Sequence, residues 1–97
     1  MKNPNHLIEK VCEYYHIDQE ALKGSCRKPQ IVMPRFMTQY LLKKEMKLTY
    51  KSIGNLFGRR HTSIIHAIQQ IDEQLTNKFD GTIRNDLSNL KQLINNN

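Results

Sequence analysis

A chain of 97 residues can build one hydrophobic core but not two, so we predict a single domain over residues 1–97. Hydrophobic residues make up only 38% of it, and it has neither an apolar run of about 18 residues nor the apolar centre of a signal peptide, so we expect a soluble, cytoplasmic protein with no membrane partner. The net charge of +6 favours a polyanionic partner.

Two helices are predicted in the N-terminal quarter of the chain. Pro4 is a suitable start signal, and apolar residues at helical spacing predict a first helix over about 5–16. These residues are Leu7, Ile8, Val11, Cys12 and Tyr15. Asp18 is a suitable N-cap for a short second helix through Leu22.

A third helix is predicted to begin at Pro34. Proline lacks a backbone N–H, so it fits the first turn of a helix, where that N–H has no partner in any case. Apolar residues then follow at helical intervals to about residue 46. They include Met33, Phe36, Met37, Tyr40, Leu41 and Met46. Arg35 consequently falls in the first turn, where we expect it to contribute little to fold stability.

A short helix, a glycine turn and a longer helix follow. Thr49 is a suitable N-cap for a helix over about 50–57, and Gly58 stands where a left-handed residue ends a helix. The next helix has an apolar stripe at steps of four, three and four, made of Ile64, Ile68, Ile71 and Leu75. Its solvent face is predicted to carry Ser63, His66, Gln70 and Glu73. The pattern predicts a helix-turn-helix over about 49–75.

The chain is predicted to end in another helix. Asp80–Gly81 indicates a turn, and the apolar residues after it again have helical spacing. They are Ile83, Leu87, Leu90 and Ile94. Since no segment alternates with period two over more than a few residues, the fold class is all-α: a compact bundle of about six helices.

The positive charge is concentrated in the middle of the chain. Residues 23–60 contain ten Lys and Arg against Glu45 alone, a net charge of +9, whereas residues 1–22 carry −2 and residues 61–97 carry −1. A merely soluble surface usually mixes both signs, so the segment favours a polyanion as partner.

The predicted helix-turn-helix overlaps this basic segment. In that motif the second helix lies in the DNA major groove, with its N-terminal side chains at base edges and cations at phosphates. Both kinds of residue occur here, namely Lys51, Arg59, Arg60, His61, Thr62 and Ser63.

The same stretch resembles the C-terminal DNA-binding domain of DnaA, the bacterial chromosomal replication initiator. The signature of that family reads approximately G-G-R-D-H-T-T-V-x-H-A, and this chain has Arg60–His61–Thr62–Ser63–Ile64–Ile65–His66–Ala67. Further matches are Pro34–Arg35, Tyr40–Leu41, Thr49, Ile53–Gly54 and Phe57–Gly58. The similarity extends from Leu7 to about Leu93.

The resemblance implies a Trp repressor-like fold that binds double-stranded DNA at a site like a DnaA box, with a role in replication initiation or its regulation. It implies that the second helix of the motif enters the major groove and that Arg35 reaches the adjacent minor groove. Thr49 and Lys51 are expected at phosphates, because the first helix of the motif should cross the DNA backbone. The predicted DNA-binding residues are Arg35, Thr49, Lys51, Arg59, Arg60, His61, Thr62 and Ser63.

Two features depart from that family. Phe57–His61 is one residue shorter than the usual F-G-G-R-D-H, which puts Arg60 where the family has aspartate. The chain also lacks the G-x-x-x-x-G-K-[ST] motif, so the initiator's ATPase is not expected in it. It is either an isolated domain or a small stand-alone protein with the same DNA-reading part.

Other functions have less support. A transcription regulator of similar fold, or a basic module that docks an acidic protein, remains an alternative. An enzyme is not predicted, since Glu45 is the only acid in the basic stretch and a nuclease needs carboxylates for Mg²⁺. His61 and His66 are five residues apart and diverge on a helix, and Cys12 and Cys26 lack zinc-site spacing, so no metal, cofactor or small-molecule substrate is expected. The oligomeric state is left open.

Overall fold

The computed structural model describes residues 3–76 and 81–95. Within these ranges the backbone forms six α-helices and no strand, which confirms the all-α prediction. The helices are α1 (Pro4–Tyr15), α2 (Gln19–Lys23), α3 (Pro29–Lys44), α4 (Tyr50–Phe57), α5 (His61–Thr76) and α6 (Thr82–Asn95).

The first two helices lie where the sequence predicts them, and only the first has an N-cap side chain that is hydrogen-bonded. Asn3 is the N-cap of α1, and its side-chain oxygen accepts a hydrogen bond from the His6 backbone N–H at 2.8 Å. α1 ends before His16, whose φ of 58° is left-handed. Asp18 precedes α2 as predicted, but its side chain makes no capping hydrogen bond, so the predicted cap is correct in position only.

The predicted start of α3 is wrong by five residues. Pro29 occupies the first turn, and Pro34 lies inside the helix, where it removes one backbone hydrogen bond. Two prolines at this spacing both suit a first turn, and apolar periodicity alone does not distinguish them. Arg35 therefore lies in the second turn, on a face that the rest of the protein covers.

The helix-turn-helix prediction is confirmed in detail. The Thr49 hydroxyl accepts a hydrogen bond from the Ser52 backbone N–H at 3.0 Å, and Gly58 ends α4 with a φ of 62°. The turn then closes on α4, because the Arg59 backbone N–H donates to the Gly54 carbonyl at 2.8 Å. A β-carbon at Gly54 would lie 2.5 Å from the Arg59 carbonyl oxygen, so only glycine fits this close approach.

α3 lies at the centre of the bundle and contacts α1, α2, α4 and α5, while α6 packs on α1 and α5. The predicted apolar stripes of α5 and α6 face this core, with Leu75 only partly buried. The turn predicted at Asp80–Gly81 falls partly outside the described residues, which include Gly81 only. None of the helices in residues 3–76 and 81–95 combines the length and apolar character that crossing a membrane requires.

Candidate nucleic-acid interface

Six of the ten cations of the basic segment, residues 23–60, are exposed on the surface. The exposed ones are Arg27, Lys28, Lys44, Lys47, Lys51 and Arg60. None of the cations in residues 23–60 forms a salt bridge with a carboxylate of the described residues. Their positive field is therefore not cancelled within the described structure and is available to a polyanion.

Three cations of the segment, two exposed and one half-buried, line one concave surface beside the helix-turn-helix, which we call the basic cleft. The basic cleft has a volume of about 450 Å³ and is lined by Lys51, Asn55, Arg59, Arg60, His61 and Thr62. Five of the eight predicted DNA-binding residues thus come together here, although they belong to α4, the turn and α5.

The N-terminus of α5 adds to the positive potential of the basic cleft. α5 begins at His61, so the N–H groups of its first turn have no partners within the helix and carry partial positive charge. Arg60 directly precedes this turn, and its carbonyl accepts a hydrogen bond from the Ser63 N–H at 3.1 Å. An anion at this position meets both the helix end and the side chains of Arg59 and Arg60.

Thr49 lies at the start of α4, and its hydroxyl is already engaged. It accepts from the Ser52 N–H and donates to the Ser52 Oγ at 2.9 Å. The Ser52 side chain is exposed, and its own hydroxyl proton is the one left to donate. The predicted cap is confirmed, and the phosphate contact expected for Thr49 stays a prediction.

Arg35 occupies a different place from the one expected. Only 3% of its surface is exposed, and its guanidinium donates three hydrogen bonds to backbone carbonyls: Nε to Leu22 at 2.7 Å, Nη1 to Cys26 at 2.9 Å and Nη2 to Ala21 at 3.1 Å. Burial, and then the charge of Arg59, lower the pKa of Arg35 below its ordinary value. The expectation that this side chain projects into a minor groove is corrected: it is held inside the protein.

Arg59 connects the turn to the segment between α2 and α3, which we call the α2–α3 loop (residues 24–28). Its Nη2 donates to the Gly24 carbonyl, while the rest of the residue lines the basic cleft. Arg27 and Lys28, further along the same loop, are exposed. No pattern in the amino-acid sequence selects these two cations, because the contact between their loop and the turn is made by Arg59 across the fold.

Ser63 lies beside a second cleft, between α3 and α5. This α3–α5 cleft has a volume of about 280 Å³ and is lined by Arg35, Phe36, Gln39, Arg59, Ser63, His66, Ala67 and Gln70. His66 and Gln70 are exposed on α5, as predicted for its polar face. At the base of the cleft, Gln39 is 1% exposed, and neither atom of its amide has a hydrogen-bond partner among the described residues.

Asn55 and Ser52 were also missed by sequence reasoning. Asn55 lies one helical turn after Lys51 on the exposed face of α4, a spacing that could have indicated it.

Both cysteines are free thiols, with Cys12 buried and Cys26 half-buried. In the part of the chain that the structure describes, no three His, Cys, Asp or Glu side chains are arranged to hold a metal ion.

Comparison with known proteins identifies the family. A sequence model described as the bacterial DnaA protein helix-turn-helix matches residues 4–71. The chain belongs to this family. It is 37% identical over 89 residues to the chromosomal replication initiator protein DnaA of Herpetosiphon aurantiacus, and 38% identical over 72 and 86 residues to the DnaA proteins of Thermus thermophilus and Limosilactobacillus reuteri.

The three alignments cover 91%, 73% and 88% of this chain. They cover only 18%, 16% and 19% of the respective DnaA proteins, so the chain spans less than a fifth of the length of these relatives. The family predicted from the signature around His61 is thereby confirmed.

Proposed function

We propose that this chain binds double-stranded DNA in a sequence-specific manner, at a site like a DnaA box, and acts in the initiation of replication or its regulation. The observation that carries the proposal is the basic cleft, where Lys51, Arg59 and Arg60 converge on the N-terminus of the second helix of a helix-turn-helix. Membership of the DnaA helix-turn-helix family supports the same function.

The proposed complex places α5 in the major groove. Its 16 residues span about 24 Å, and a helix with side chains is about 10–12 Å wide, which suits a groove about 12 Å wide. His61, Thr62 and Ser63 are exposed in the first turn of α5 and are the proposed base-reading residues. α4 then crosses the sugar-phosphate backbone, with Lys51 and Ser52 at phosphates.

In the proposed complex the minor-groove contact is made by Arg27 and not by Arg35. An arginine that enters a groove has to be exposed, and Arg35 is not. Arg27 is exposed in the α2–α3 loop, which Arg59 ties to the turn. We assign the adjacent minor groove to Arg27 and a neighbouring phosphate to Lys28.

The experiment is a titration of labelled duplexes, followed by fluorescence anisotropy at several salt concentrations. One duplex contains a DnaA box, and the control has the same composition in scrambled order. We expect preference for the box and, with about five phosphate contacts, a slope of log K against log salt of about −4 to −5. A slope shallower than −2 would contradict binding through the basic cleft.

Matched variants locate the contact. Lys51→Ala is expected to reduce the steepness of the slope by about one. Lys91→Ala removes the same charge from α6, away from the residues that line the basic cleft, and should leave the slope unchanged. Selection from a random pool separates the alternatives: another preferred site indicates a different DNA-binding role, and no duplex binding indicates a protein-interaction module.

A further inference from the structure

Arg35 is the most deeply buried cation of the basic segment, and its contacts join separate parts of the backbone. Two of its three acceptors, the Ala21 and Leu22 carbonyls, belong to the last turn of α2, and the Ala21 carbonyl also accepts from the Gly24 backbone N–H at 3.3 Å. The third, the Cys26 carbonyl, lies in the α2–α3 loop. One guanidinium on α3 therefore holds both the end of α2 and the middle of the loop.

The geometry requires arginine rather than a positive charge alone. A guanidinium has five N–H donors in a rigid plane, and here three of its nitrogens each contact a different carbonyl. A lysine ammonium is a single point on a flexible chain, which cannot bridge the same three oxygens at similar distances.

A second arginine holds the start of the loop, next to α2. Arg59, in the turn before α5, donates to the Gly24 carbonyl. The loop is thus fixed at Gly24 by the helix-turn-helix and at Cys26 by α3. The next two residues, Arg27 and Lys28, are exposed and precede α3, which starts at Pro29.

We propose that Arg35 is a positioning residue for DNA binding. It does not touch DNA; it fixes the α2–α3 loop so that Arg27 and Lys28 meet the duplex at the same time as the first turn of α5. The inference rests on the proposed DNA-binding function. It states that this buried residue raises the affinity for DNA without contacting DNA.

The central experiment is a double-mutant cycle that uses the charge-conserving variant Arg35→Lys. In wild-type background, Arg35→Lys should weaken binding to the preferred duplex by about tenfold or more. It should also reduce the steepness of the salt slope by about two, the same as the double variant Arg27→Ala/Lys28→Ala, because the contacts of both cations with the DNA are lost together. Added to that double variant, Arg35→Lys should have almost no further effect on binding.

The control is a variant that lowers stability without touching the loop. Ile94→Val trims a buried side chain of α6 and should leave both affinity and salt slope at their wild-type values. Wild-type affinity in Arg35→Lys, or additive losses in the combined variant, would overturn the proposal. Equal slope changes in Ile94→Val and Arg35→Lys would also overturn it, since the effect would then be a general consequence of lower stability.

A measurement on the wild-type protein covers the case in which Arg35→Lys does not fold. The Arg35 side-chain Nε–H should be protected from solvent exchange in NMR spectra of the free protein and should stay protected, without contacts to DNA protons, in the complex. An intermolecular contact from Arg35 to the duplex would overturn the proposal. Failure of the proposed function is distinct, since wild-type protein would then show no duplex preference at all.

Discussion

Two regions of the protein differ in how their polar side chains are paired. One is the contact between α1 and α6, and the other is the helix-turn-helix side. Between α1 and α6, the Tyr14 and Tyr15 hydroxyls donate to the two carboxylate oxygens of Asp86 at 2.9 and 3.0 Å, and Asn89 donates to the Tyr14 hydroxyl at 3.0 Å. Near the turn, by contrast, the cations have no carboxylate partners among the described residues, and the Gln39 amide has no partner in residues 3–76 and 81–95. Polar groups between α1 and α6 stabilise the fold, whereas the exposed cations near the turn are available to another molecule.

The largest expected effect tests the geometry of the turn itself. Gly54→Ala places a β-carbon against the Arg59 carbonyl, and we expect it to lower the free energy of unfolding by about 2–4 kcal/mol. Urea denaturation followed by circular dichroism measures the change. The control is Gly58→Asn, where space is free and asparagine tolerates the positive φ, so its loss should be about 1 kcal/mol or less. Equal losses would show that the close approach at Gly54 is not what limits the turn.

The α1–α6 contact should have the next largest effect on stability. Tyr15→Phe removes a hydrogen bond to a carboxylate and should lower stability by about 1.5–3 kcal/mol at neutral pH, measured by the same denaturation. Tyr50→Phe is the matched control, because it removes the same hydroxyl from a half-buried ring on α4. A loss in Tyr50→Phe as large as in Tyr15→Phe would contradict a special role for the pairing with Asp86.

The same pair predicts a dependence on alkaline pH. Burial, and then the charge and hydrogen bond of Asp86, raise the pKa of Tyr15 in the folded protein. Its contribution to stability is therefore complete below the unfolded pKa of about 10 and is lost progressively as the pH rises above that value. Between pH 9 and 11, the wild type should lose more stability than Tyr15→Phe; parallel curves would count against this coupling.

A smaller effect is expected at Arg60, where the chain differs from the DnaA signature. Aspartate only accepts hydrogen bonds and suits the cytosine amino group, while arginine only donates and suits guanine O6 and N7 or a phosphate. Arg60→Asp should weaken non-specific binding and shift the preference among single-base variants of the selected site by about tenfold, or about 1.4 kcal/mol. Identical rankings for both proteins would mean that Arg60 touches no base.

The smallest effect should be a gain in stability. Gln39→Met replaces the buried amide with an apolar side chain of similar length, and removing two unpartnered polar atoms should raise the free energy of unfolding by about 1 kcal/mol. The exposed Gln70 lines the same α3–α5 cleft, so Gln70→Met is the control and should change stability by less than about 0.5 kcal/mol. A loss of stability in Gln39→Met would indicate that the amide has a stabilising partner in solution.

The amino-acid sequence determined the elements whose signals are local. Thr49 and Gly58 delimit α4 through a side-chain cap and a left-handed backbone, both of which depend on only a few neighbouring residues. The stripe from Ile64 to Leu75 and the stripe from Ile83 to Ile94 predicted α5 and α6 by their period. The signature around His61 likewise identified the family, because it lies within one stretch of the chain.

The tertiary structure alone decided which residues face one another. Pro29 and Pro34 are equivalent by local rules, and only the packing of α3 against its neighbours decides that the helix starts at the first of them. That choice turns Arg35 toward the carbonyls of residues 21, 22 and 26, although its sequence context resembles that of a surface cation. The reason is that a charged side chain is buried only where enough acceptors surround it, and those acceptors come from another helix and a loop whose positions exist only after folding.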